Sequence, residues 1–145
     1  MKKKILLLLL SLFLLWGCQS TPTKTLKEHV TLSFFYVETC PNCKAFKKEA
    51  IPYLEKTFGD SLTIQSYDLD DDATQPIYDA IIDSLVDFDE SEYGNGPFYA
   101  IEGYFAKLGY TSGDEEYLVD DIEKAINHQS LSDELSGLRY IYKES

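Results

Sequence analysis

TLSFFYV, residues 31–37, runs through Glu38 and Thr39 into Cys40-Pro41-Asn42-Cys43, and the reading of that junction decides the fold. The first segment is β-branched and aromatic and nearly unbroken in apolar residues, which predicts a central strand over residues 30–37, covered on both faces. From Cys43 onward Phe46, Ala50, Leu54 and Phe58 recur every four positions, the face of a helix. Pro52 lies inside that helix and predicts a kink, because proline removes a backbone donor and crowds the preceding turn. Gly59-Asp60 ends it. Two thiols three positions apart therefore sit where a strand turns into a helix.

Further along, residues 62–69 (LTIQSYDL) begin with Leu62 and Ile64 alternating with Thr63 and Gln65, a second strand. Residues 70–74 lead into a helix with Pro76 near its first turn and a buried stripe of Ile77, Ile81, Ile82 and Leu85. Residues 87–96 (DFDESEYGNG) are an acidic loop. A third strand spans 98–101, and Glu102-Gly103 turns it into a fourth, 104–108. Ser112 or Asp114 is placed to cap a helix over 115–127, whose apolar face is Leu118, Ile122, Ala125 and Ile126. Residues 128–145 are ambiguous; they read as a short helix over Leu131, Leu135 and Leu138 followed by a strand-like Tyr140-Ile141-Tyr142. The order β-α-β-α-β-β-α predicts an α/β domain: a central mixed sheet of four to five strands flanked by helices, the first two strands parallel, the last two a hairpin.

The N-terminus sets the compartment. Lys2, Lys3 and Lys4 precede an apolar core, residues 5–15, too short for a spanning helix of about 20 residues. Residues 1–17 read as a secretory signal. Leu15-Trp16-Gly17-Cys18 resembles a bacterial lipobox, although Trp16 stands where a small residue is usual. The resemblance implies lipid on Cys18 and a domain held at the cell envelope, outside the cytoplasm; an uncleaved hydrophobic anchor is the alternative. Residues 18–27 read as a flexible tether and 28–145 as the domain. With Cys18 lipidated, Cys40 and Cys43 are left as a pair in a compartment that permits disulfides. The formal charge is −12, and without the three signal lysines 10 basic residues face 25 acidic ones, a formal −15. That balance argues against nucleic acid or anionic headgroups as partners, so the membrane contact expected is through the lipid.

Strand, Cys-x-x-Cys at a helix start, a crossover, then Gly96-Pro97 opening a hairpin and a final helix: over residues 28–127 this layout resembles the thioredoxin-like family. Cys40, Cys43, Pro97 and, more weakly, Gly109 carry the resemblance. Small thioredoxin-like proteins associated with bacteriocin export are similar in layout. The resemblance implies that Cys40 attacks and Cys43 resolves, that Pro97 is cis and faces the pair, and that Gly96 offers its backbone to an extended substrate. A helix N-terminus favours a thiolate at Cys40, through unpaired donors and the positive dipole end. Thr39, Pro41 and Asn42 complete the active-site loop and tune it. Two departures matter. Cytosolic thioredoxins carry tryptophan directly before the first cysteine and aspartate six residues before it; here these are Thr39 and Phe34. Glu38 is then the nearest acid for a proton relay, unless it is a solvated loop carboxylate.

Cys-x-x-Cys also holds zinc, but a structural site needs four ligands and only His29 and His128 remain, far apart in sequence. Asp68, Asp70 and Asp72 have the spacing of a calcium-loop start without its glycine or its final glutamate. Neither a metal nor another cofactor is expected. Tyr93, Tyr99 and Tyr104 are candidates to line a peptide groove beside Pro97. The expected function is disulfide exchange with exported protein thiols or disulfides, served by a redox partner protein. The alternative is a non-catalytic accessory lipoprotein in which the same pair is a permanent staple.

Overall fold

The computed structural model describes residues 22–144; Cys18 and the signal over residues 1–17 lie outside them. Five strands, β1 (Val30–Tyr36), β2 (Leu62–Asp68), β3 (Phe98–Ile101), β4 (Phe105–Leu108) and β5 (Leu138–Ile141), form one mixed sheet in the order β2-β1-β3-β4-β5. β1 and β2 are parallel, and the other three pairings are antiparallel. On one face pack a continuous helical run, α1 (Pro41–Ala45), a π turn (Phe46–Ala50) and α2 (Ile51–Phe58), together with α4 (Asp114–Ile126). On the other face packs α3 (Gln75–Asp83). Alternation along β1 sends Leu32 and Phe34 to the first face and Phe35 to the second, all fully buried.

The helix after the cysteines forms for the reason its spacing gives: Phe46, Ala50, Leu54 and Phe58 are all buried. Burying Phe46, Leu54 and Phe58 contributes roughly 1.5–3 kcal/mol each, which outweighs the cost of about 3 kcal/mol for proline inside a helix. Pro52 is accommodated by a π turn before it, where Ile51 N–H bonds the Phe46 carbonyl. The helix also begins earlier than its apolar stripe suggests, at Pro41, with Cys40 as its cap.

Four expectations need correction. The buried stripe of α3 is Tyr78, Ile81, Ile82 and Leu85, whereas Ile77 is 38% exposed. The spacing i, i+3, i+4, i+7 starting at Tyr78 puts the larger ring in the core, and its hydroxyl accepts the Gly94 N–H at 3.2 Å. Neither Ser112 nor Asp114 caps α4: the cap position is Gly113, and Asp114 instead accepts the Thr111 N–H at 3.0 Å. No helix forms over residues 131–138; the segment crosses to add β5 at the sheet edge. There Gly137 has φ +80, and a Cβ on it would stand 2.0 Å from the Leu108 carbonyl oxygen, so only glycine lets the chain approach β4. Finally, the packed body begins before residue 28. Lys24 N–H bonds the Thr57 carbonyl at 2.8 Å and Leu26 is buried, so that part of the expected tether lies against the domain.

Candidate functional site

Cys40 follows β1 by a tight turn, its N–H bonding the Val37 carbonyl at 3.0 Å. Its own backbone is extended (φ −80, ψ 116), and Pro41 opens the helix. The Cys40 Sγ accepts the Cys43 N–H at 3.1 Å, so the sulfur does the work of a capping oxygen. Cys43, one turn in, is 1% exposed, while Cys40 is half-buried and Thr39, Pro41 and Asn42 around it are exposed. The two sulfurs lie at disulfide distance with Cα atoms 5.2 Å apart.

The chain folds the start of β3 onto this pair. The Gly96-Pro97 peptide bond is cis, and the Gly96 carbonyl oxygen is 3.5 Å from Cys40 Sγ. A Cβ on Gly96 would stand 3.0 Å from Cys43 Sγ, so glycine is what allows so close an approach. Gly109 N–H bonds the Pro97 carbonyl at 2.8 Å and closes the hairpin behind it. Residues some fifty positions apart in sequence, Cys40, Cys43, Gly96 and Pro97, thus share one surface.

The floor of the site is aromatic. Phe34 is fully buried and stacks on Phe46 with ring centroids 4.5 Å apart, and Phe46 lies 4.8 Å from Tyr99 and 5.2 Å from Tyr110. Glu38 is the solvated carboxylate of the two readings: its side chain is 63% exposed and meets Lys47 Nζ at 3.1 Å. Lys47 in turn lies 3.0 Å over the Tyr36 ring. Tyr93, Tyr99 and Tyr104 do not line one groove. Tyr99 points into the core, and Tyr104 sits at the far turn of the hairpin, donating to Glu28. Tyr93 packs on Tyr78 of α3, ring centroids 5.2 Å apart, and its hydroxyl donates to Asp79.

A buried polar row beside the floor escaped sequence reasoning. Phe34, Tyr99, Lys107 and Arg139 are successive cross-strand partners. Lys107 is 2% exposed and donates to the Leu135 and Gly137 carbonyls at 3.3 and 3.2 Å. Burial and, less, Arg139 push its ammonium down to about 8, against the pull of Asp114 and Asp121. Asp121, fully buried, accepts from Arg139 at 3.1 Å and from the Ser132 N–H at 2.8 Å. A lysine alternating with Ala106 and Leu108 in a strand pattern was the available signal.

His29 is engaged by the Asp60 carbonyl and the Thr63 hydroxyl, at 3.0 and 2.8 Å. Among the described residues no group of three or more His, Cys, Asp or Glu side chains is arranged to hold a metal, and no helix is long and apolar enough to cross a membrane. A groove of about 580 Å³ opens away from the thiols, between α3 and the β3–β4 turn, lined by Pro76, Ile77, Gly103 and Tyr142 among others. No family model, curated protein or solved structure matches the chain.

Proposed function

We propose that the chain is a thioredoxin-like thiol-disulfide oxidoreductase, held by lipid on Cys18 at the bacterial cell envelope and acting on exported proteins. One observation carries the reading: a half-buried sulfur caps a helix start while the carbonyl before a cis-proline stands 3.5 Å from it. Cys40 is the sulfur a partner can reach, and Cys43, beneath it, is placed to resolve. In the disulfide form, a substrate thiolate attacks Cys40 Sγ and expels Cys43 as a thiolate. The substrate's second thiolate then attacks its own bridging sulfur and releases Cys40. Two electrons pass to the chain, and an external thiol-disulfide partner protein takes them on. The reverse sequence reduces a substrate.

The aromatic floor supports the second reading, a non-catalytic accessory protein with a permanent staple. Phe34 and Phe46 supply no proton acceptor below Cys43, which favours a pair that stays closed. Redox titration against glutathione separates the two. An exchanging pair is expected at a potential above about −300 mV and a structural one below it.

A further inference from the structure

The chain enters its folded body at a defined place. Pro22 lies against Gly59, where an added Cβ would stand 2.9 Å from the proline Cβ. Lys24 N–H bonds the Thr57 carbonyl at 2.8 Å, and its ammonium pairs with Glu123 of α4. Leu26 is buried, and its N–H donates to the Ser61 hydroxyl at 3.2 Å. Thr57, Gly59 and Ser61 close the same helical run that Cys40 opens as its cap. That run holds 18 residues, Pro41 to Phe58, so the entry point and the thiols are about 27 Å apart. β1 leads the same way, its seven residues from Val30 to Tyr36 covering about 23 Å.

We propose that the domain meets the bilayer with its Gly59 end, so that the Cys40–Gly96 cleft faces away from the membrane, towards polypeptides clear of it. The inference rests on the reading that lipid on Cys18 holds the chain, and it adds how the site is presented. Cys18 lies four residues before Pro22, a stretch that spans at most about 14 Å. A rigid body held by one end beside a surface loses every orientation that would drive it into that surface. Its free end therefore averages further out. Ten free residues, reaching up to about 35 Å, would have let the thiols turn to either side; the docking of residues 22–26 removes that freedom.

The test uses the lipidated chain, purified from bacterial membranes in nonionic detergent and returned to phosphatidylcholine vesicles, whose headgroups carry no net charge. In a Cys40→Ser, Cys43→Ser background, one fluorophore is placed through Asn42→Cys at the cleft or Asp60→Cys at the entry end, both exposed positions. A lipid with a nitroxide at its headgroup is expected to quench the label at 60 severalfold more strongly than the label at 42. Inserting about 20 glycine and serine residues between positions 21 and 22, a coil spanning about 25 Å, is expected to bring the two close to equality. Equal quenching at the native tether length, or a difference that the insertion leaves intact, would overturn the inference. Activity gives a second readout in the chain with both thiols. A dithiol peptide carried on a lipid gives two electrons and two protons to the Cys40–Cys43 disulfide and becomes a disulfide itself. It is expected to react severalfold faster on a flexible spacer than fixed at the headgroup, and equal rates would also overturn the inference. If both peptides are inert while quenching differs, the exchange reading fails and the orientation stands. If mass spectrometry finds Cys18 without lipid, the anchoring reading fails and the inference falls with it.

Discussion

Gly96 is the residue on which the geometry of the site turns. It has an ordinary backbone conformation, so its role is space: an added methyl would stand 3.0 Å from Cys43 Sγ. In Gly96→Ala the sulfur or the strand start must give way. Overpacking of this kind costs about 1–3 kcal/mol, and we expect that loss in the urea midpoint of the oxidised chain. A change within a few tenths of a kcal/mol would show that the cleft is looser than described. At this scale the sequence was legible where punctuation residues carry the information. Cys40, Cys43 and the Gly96-Pro97 pair could be picked out because few other roles suit such residues at element boundaries. Which of two adjacent apolar residues faces inward was not legible. Ile77 and Tyr78 are equally good core residues, and only the packing of α3 against Phe35 and Phe98 chooses the tyrosine.

Among the elements, β5 was the hardest to read and is tied down by polar groups. Leu138–Ile141 alternates too briefly to decide between strand and helix on periodicity alone. The decision is made by partners distant in sequence: β4 at its side, Lys107 reaching back to the Leu135 and Gly137 carbonyls, and Asp121 holding both Arg139 and the Ser132 N–H. Asp121→Ala removes both bonds and leaves Arg139, only 21% exposed, with the Ser132 carbonyl and the exposed Asp133 as its partners. Breaking one partner of a buried pair costs about 3–5 kcal/mol, so we expect a loss near the lower end in urea unfolding. Asp121→Asn, which can still accept from Ser132, should lose less. Unchanged stability in Asp121→Ala would mean that β5 is held by its strand bonds and Lys107 without help from Asp121. The early strands and the helix after the cysteines, by contrast, were readable because their burial repeats locally, at two and at nearly four residues.

For the whole molecule, the titrating groups make a signed forecast of stability against pH. Lys107 loses its proton near 8 in the folded chain but near 10.5 when unfolded, so between these values the unfolded state binds more protons and stability rises with pH. Tyrosines act the other way. Tyr142, by burial, and Tyr104, through its bond to Glu28, are pushed up to about 12, whereas unfolded tyrosine ionises near 10. Their contribution is present below about 10 and is lost as pH rises through about 12. Urea midpoints should therefore rise from pH 8 to 9.5 and fall above 10. In Lys107→Met the rise should vanish while the fall remains; a rise that survives the substitution would assign it to another group.

The role proposed for the site requires that Cys40 exchange with a polypeptide. The most direct measurement incubates the Cys43→Ser chain with a disulfide-bonded peptide and maps any adduct by mass spectrometry. We expect a stable one-to-one mixed disulfide at Cys40, and little reaction in the Cys40→Ser chain, whose remaining site thiol at Cys43 is 1% exposed. Capture at Cys43 instead, or at neither cysteine, would contradict it.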